Sequence, residues 1–127
     1  MLNRSGIKKE TAGAPVQILG AASPYYAIGI IVNASAGTTV GSRKIVKAGT
    51  PLVVDFANLS TPATKIASNT EIAQATAVLI HDVDVTDGNA NGSGLVVGIV
   101  NHNRLESDVQ AMLKPGNKVS GVICIAL

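Results

Sequence analysis

The apolar residues of this chain come in short runs, cut apart by thirteen glycines and five prolines. Punctuation at that spacing reads as strands joined by turns and argues against a helical bundle. The filling is equally restricted. Only Tyr25, Tyr26 and Phe56 are aromatic, so a core has to be made of Val, Ile, Leu and Ala, packed between sheets or against a short helix. At 127 residues the chain makes one domain. A domain of this size buries roughly two-thirds of its unfolded surface, enough for a modest core without staples.

Charge narrows the function. The net charge is +2 and only 14% of residues are charged. A protein that neutralises several phosphates needs a denser basic face and stacking aromatics, so no nucleic-acid partner is expected. Arg4, Lys8 and Lys9 form one small basic group and Arg43, Lys44 and Lys47 a looser one; both read as solvated surface. Cys124 is alone, so no intrachain disulfide forms. No run reaches the ~18 to 20 apolar residues of a membrane span, so no membrane partner is expected. Met1-Leu2-Asn3-Arg4-Ser5 lacks the apolar stretch of a signal peptide, which points to synthesis in a cytoplasm.

Residues 1–15 show no hydrophobic periodicity and read as a flexible arm that folds on meeting a partner; residues 16–127 read as the β-rich domain. Val16 to Leu19 is a short extended piece, and Tyr25 to Val32 a strand with apolar residues on both faces. A loop from Asn33 to Ser42 precedes the extended Lys44 to Lys47, and Leu52 to Val54 follows a turn at Ala48 to Pro51. From Asn58 to Thr70 only Lys65 to Ala67 looks extended. Ala77 to Thr86 reads as one strand whose second half has an apolar face and an acidic face. The Asp87 to Gly92 connection and the strand Leu95 to Val100 complete a β-hairpin. Asn103 and Glu106 have the spacing of a capping box, and Leu105, Val109, Met112 and Leu113 share a helical face, which predicts one short helix near residues 104–113. Pro115-Gly116 ends it. Val119 to Leu127 is a last strand whose apolar end has to be buried in the sheet or at a subunit contact.

The run from Ala77 to Thr86 with its Asp82-Val83-Asp84-Val85-Thr86 core, the Asp87 to Gly92 turn, Leu95 to Asn101, and Arg104-Leu105 resembles the head-decoration and head-fibre-base proteins of tailed bacteriophages. Ser23-Pro24-Tyr25-Tyr26 and Val46 to Pro51 are similar to that group as well, so the resemblance spans roughly residues 14–127. It implies a mainly β, β-tulip- or barrel-like domain with a short helix. It also implies a structural virion protein, made in the bacterial host cytoplasm. Such a protein binds the outer face of the expanded capsid as homotrimers at three-fold or quasi-three-fold positions and stabilises the head. The partners would be the major capsid protein and further copies of the chain. In relatives the N-terminal segment adds to the capsid protein's sheet, which makes Ile7, Lys8 and Lys9, continued by Val16 and Ile18, the expected capsid-binding residues. Relatives with a fibre have a long C-terminal extension, and a chain stopping at Leu127 favours a bare knob.

No enzymatic activity or cofactor is expected. Asp82, Asp84, Asp87, Asn89 and Asn91 invite a calcium loop, but counting from Asp82 puts Asp87 where glycine belongs and Ser93 where an acid belongs, so a hairpin turn with exposed acids is the reading kept. His81 falls on the apolar parity of its strand and reads as a core or interface histidine; His102 as easily turns the chain into the helix. Cys124, among Val122, Ile123 and Ile125, reads as a small buried hydrophobe. Gly41-Ser42 and Gly92-Ser93, both in turn-like segments, leave open a self-cleaving pyruvoyl enzyme, which two fragments in an intact-mass spectrum would reveal. The other alternative is a glycan-binding or adhesion module on a virion or cell surface, for which Tyr25 and Tyr26 are the stacking aromatics, with alternation exposing one of them.

Overall fold

The computed structural model describes Ile18, Leu19 and residues 25–127. The fold is mainly β, as expected, with a curled half-barrel sheet. In chain order the strands are β1 (Tyr26–Val32), β2 (Thr38–Val40), β3 (Arg43–Val46), β4 (Pro51–Val53), β5 (Thr64–Lys65), β6 (Ala77–Leu79), β7 (Val83–Asp84), β8 (Ala90–Asn101), β9 (Lys118–Val119) and β10 (Gly121–Ile125). The one α-helix, α1, spans Ser107–Met112, and three short 3-10 segments cover Ala34–Ala36, Asn69–Gln74 and His102–Arg104.

The large sheet runs β9-β10-β8-β6-β4-β5, with β1 also on β8, and a small sheet runs β2-β3-β7. Strand β8 organises the whole. Leu95 pairs with Val78 of β6 and with Ala27 of β1, so those two strands lie on opposite edges. Val100 likewise lies between Cys124 of β10 and Leu19. Val97, paired with both Tyr26 and Gly121, has β1 and β10 on opposite edges in the same way, so β10 follows β6 along one edge of β8 and Leu19 follows β1 along the other. Among the named strands the β8–β10 pairing is the parallel one, because the chain between them returns through α1, as a crossover requires; an isolated parallel bridge also joins Val32 to Ala63.

Two apolar cores lie on the two faces of the large sheet. One gathers Ile18, Val78, Leu95, Val100, Val122 and Cys124 under Leu105, Val109 and Leu113 from the helical segment. The other gathers Ile30, Val32, Leu52, Ala77 and Leu79 under Val46, Val83 and Val85 from the small sheet. Successive residues of β6 thus enter different cores, which is why Ala77-Val78-Leu79-Ile80 is apolar without alternation.

Four expectations are corrected. Ala77 to Thr86 is not one strand: β6 stops after Leu79, and β7 crosses to the small sheet to pair Val83 with Val46. The break is held by two bonds, Gly49 N–H to Leu79 O at 2.7 Å and Ala48 N–H to Asp82 Oδ1 at 2.7 Å. The hairpin survives only where Val78 and Leu79 face Leu95 and Gly94, and β8 begins at Ala90, inside the expected connection. Thr38 to Val40, read as loop, pairs with Ile45 to Arg43 as a hairpin edge. Finally, the helix starts at Ser107. Its N-cap, Glu106, makes no capping bond, since its carboxylate lies 3.1 Å from the Lys47 ammonium. Asn103 Nδ2–H donates to Leu127 O instead of capping. At six residues the helix is too short to hold by itself and rests on its buried Val109.

Candidate functional site

The end of β8 carries an irregularity that shapes the surface. Tyr26 faces Val97, yet the next residue, Ala27, faces Leu95, so one step on β1 spans two on β8. Such a bulge shifts the alternation by one residue. Before it, Leu95 points into the helix-side core; after it, Val100 does. Gly98 faces the same side, for a Cβ there would meet Tyr25 Cβ at 3.2 Å and Leu95 at 3.4 Å. Val97 and Ile99 are left on the opposite face, past the three strands that cover the rest of it.

Strand β10 continues that face. Val122 and Cys124 are buried in the helix-side core, so Ile123 and Ile125 point the other way, both half-buried. The pairing registers set out rows across the sheet: Gly121, Val97 and Tyr26 in one; Lys118, Ile123 and Ile99 in the next. Tyr26 is 66% exposed and Val97 42%. Leu127, also exposed, lies at the other end of β10, where its carbonyl accepts from Asn103 Nδ2–H. A shallow depression of about 310 Å³ lies at the Gly121 end, lined by Lys118, Ser120, Gly121, Val122 and Ile123. Ser120 adopts φ 53° at the β9–β10 corner and its Oγ–H donates to Thr76 O at 2.5 Å, which fixes the corner to the sheet.

The chain enters the domain at this end. Asn101 N–H donates to Ile18 O at 2.8 Å and Leu19 bridges Val100. Of the expected capsid-binding residues, Ile7, Lys8, Lys9 and Val16 lie outside the described residues, as does the whole 1–15 arm. Ile18 is corrected: at 1% exposure its side chain is part of the core and presents nothing to a partner. It is the buried root of the segment.

Of the residues read as a possible calcium loop, Asp82, Asp84 and Asn89 are engaged with separate protein donors. Asp82 accepts from Ala48, and Asn89 Oδ1 accepts from Ala34 N–H at 2.8 Å. Asp84 Oδ1 accepts from Thr86 N–H, while its Oδ2 lies 2.6 Å from Arg43 Nη2. The Thr86 bonds, then Arg43, hold the Asp84 carboxyl down to about 2. A carboxyl that titrates lower folded than unfolded stabilises above its ordinary 3.8 and stops doing so as pH falls through about 2. Asp84→Asn is therefore expected to flatten the melting temperature's pH dependence in that window; an unchanged slope would contradict this assignment.

His81, expected in a core or interface, is exposed, because the chain bends after β6. His102 does turn the chain toward the helix, from within a 3-10 segment where its Nε2 sits 3.4 Å from Gln110 O. Cys124 is buried, and burial pushes its thiol up to about 11, far from a reactive thiolate. Gly41-Ser42 sits in the β2–β3 turn, but Gly92-Ser93 lies inside β8 paired with β1, not in a turn. A cleft of about 120 Å³ between α1 and β3–β5 is lined by Lys47, Lys65, Asp108 and Met112 among others. Its Lys47 ammonium reaches Asp108 and Glu106, both at 3.1 Å, and is raised by the bonds to Asp108 and then Glu106. That arrangement ties the helix to the small sheet.

The sheet-face residues were not singled out in the sequence, because Val119 to Leu127 is apolar at both parities. Both tyrosines are exposed, Tyr25 at 48%, where alternation predicts one. Compared with known families and curated proteins, the chain matches no family model and no curated protein.

Proposed function

We propose that the protein is a structural component of a bacteriophage virion. It is made in the host cytoplasm and binds the outside of the expanded head in threes, where it reinforces the shell without catalysis. Its partners are the major capsid protein and further copies of itself. The observation that carries this reading is the coincidence, at one end of β8, of the segment's buried root at Ile18 with a largely apolar exposed sheet face. Apolar patches on otherwise polar surfaces mark interaction sites. The segment ahead of Ile18 supplies Ile7, Lys8, Lys9 and Val16 to the same contact. Many weak contacts repeated around a shell add to a strong attachment.

Co-sedimentation with decoration-free heads of the parent phage, before and after expansion, tests this. Saturable binding to expanded heads alone, in multiples of three, is the expected result. No binding to either form would remove the proposal. Exposure of both Tyr25 and Tyr26 favours, as a second reading, a glycan-binding module, since paired aromatics can stack on sugar rings. Glycan-array binding lost in Tyr26→Ser would support it.

A further inference from the structure

The exposed face at the end of β8 has a socket and a charge. Gly121 stands in the row with Val97 and Tyr26, and beside it lies the depression lined by Lys118, Ser120, Gly121, Val122 and Ile123. The glycine is obligatory: a Cβ on Gly121 would come within 2.9 Å of Val96 O and 3.0 Å of Val97 Cγ2, so β10 lies close against β8 here. Lys118, paired with Ile123 across β9–β10, points to the same face and rims the depression. It forms no ion pair with any described residue. The two acids of the final quarter, Glu106 and Asp108, are both engaged by Lys47 on the far side of the helix. Ser120 keeps the corner fixed through Thr76, so the shape exists before anything binds.

We infer that this face docks a protein segment carrying an aliphatic side chain next to a carboxylate. The aliphatic group seats in the depression beside Gly121 and Ile123, next to the exposed Val97, and the carboxylate meets Lys118. Complementary charge is the reason for choosing an acidic partner: Lys118 rims the depression and has no counter-ion among the described residues. The inference rests on the decoration reading for the partner's identity, which would place that segment on the outer surface of the shell protein. The socket chemistry itself is independent of it.

Two measurements separate the two claims. In the first, amide chemical shifts of the full chain are followed during titration with acetyl-Glu-Leu-Glu-amide and, separately, acetyl-Lys-Leu-Lys-amide. Saturable shifts at Val97, Lys118, Gly121 and Ile123 with the acidic peptide alone are expected, with the preference reversed in Lys118→Glu. No shifts, equal shifts with both peptides, or an unchanged preference in the variant would overturn the inference. In the second, Lys118→Glu and Val97→Ser are compared with wild type on expanded heads. Both substitutions are on exposed positions, and each should weaken binding about tenfold, Lys118→Glu with a reduced salt dependence. Wild-type binding matched by both variants would overturn the docking face while leaving the decoration reading standing. Failure of the wild type to bind heads would end the decoration reading, and the peptide titration would still decide the face. A wild-type dimer in sedimentation velocity, abolished by Val97→Ser, would assign the face to a second copy and overturn the acidic partner.

Discussion

Deletion of residues 1–14 is expected to abolish attachment to expanded heads while leaving the melting temperature of the domain unchanged. The reasoning starts from Ile18. Among the described residues the helix-side core begins there, and the bond from Asn101 N–H to Ile18 O secures the chain to β8 at that point. Removing what precedes Val16 takes no described core residue away. It does remove Ile7, Lys8 and Lys9, the proposed apolar anchor and its cations. On a shell the loss is amplified, because a trimer that loses one contact per copy loses the product of three. Head binding by the deletion variant at wild-type level would rule out the segment and leave the sheet face as the whole footprint.

Leu95→Ala is expected to cost the domain about 2–5 kcal/mol, a large part of the stability of a domain this size. Leu95 is fully buried, and its strand is hydrogen-bonded on both edges at that residue, to Ala27 and to Val78. A strand clamped from two sides cannot sink into the space that a lost isobutyl group leaves, which puts this site toward the expensive end of such substitutions. Urea unfolding followed by far-UV circular dichroism would show the midpoint falling with little change in slope. A loss below about 1 kcal/mol would contradict the placement of Leu95 at the centre of the helix-side core.

The β-rich class, the strand at Tyr26–Val32 and the buried faces of Leu105, Val109 and Leu113 were all legible in the sequence, because each rests on local periodicity. The errors share a cause. The apolar run Ala77 to Ile80 passes into the alternation of Val83 and Val85 with Asp82 and Asp84, as a single strand would, so nothing local reveals that Leu79 and Val83 serve two different sheets; the division is enforced by distant Ala48 and Gly49. The capping pair Asn103 and Glu106 had the right spacing, but Lys47, some sixty residues earlier, takes the carboxylate. The candidate face was the least legible part. It depends on the bulge opposite Tyr26, which reverses the side on which Val97 and Ile99 lie, and on Gly121 and Lys118 being brought alongside by a parallel pairing. A pattern of alternation carries no mark of where it will slip.

The placement of Tyr25 and Tyr26 gives the molecule an unusual optical property. The chain has no tryptophan and only these two tyrosines, and both are exposed, Tyr26 in the row with Val97 on the candidate face and Tyr25 on the other side of the sheet beside Gly98. Its intrinsic ultraviolet fluorescence is therefore a poor witness to unfolding, since the emitters are hydrated before and after. The same emission is a label already installed at the edge of the surface where a partner would settle, and it changes when that surface is covered.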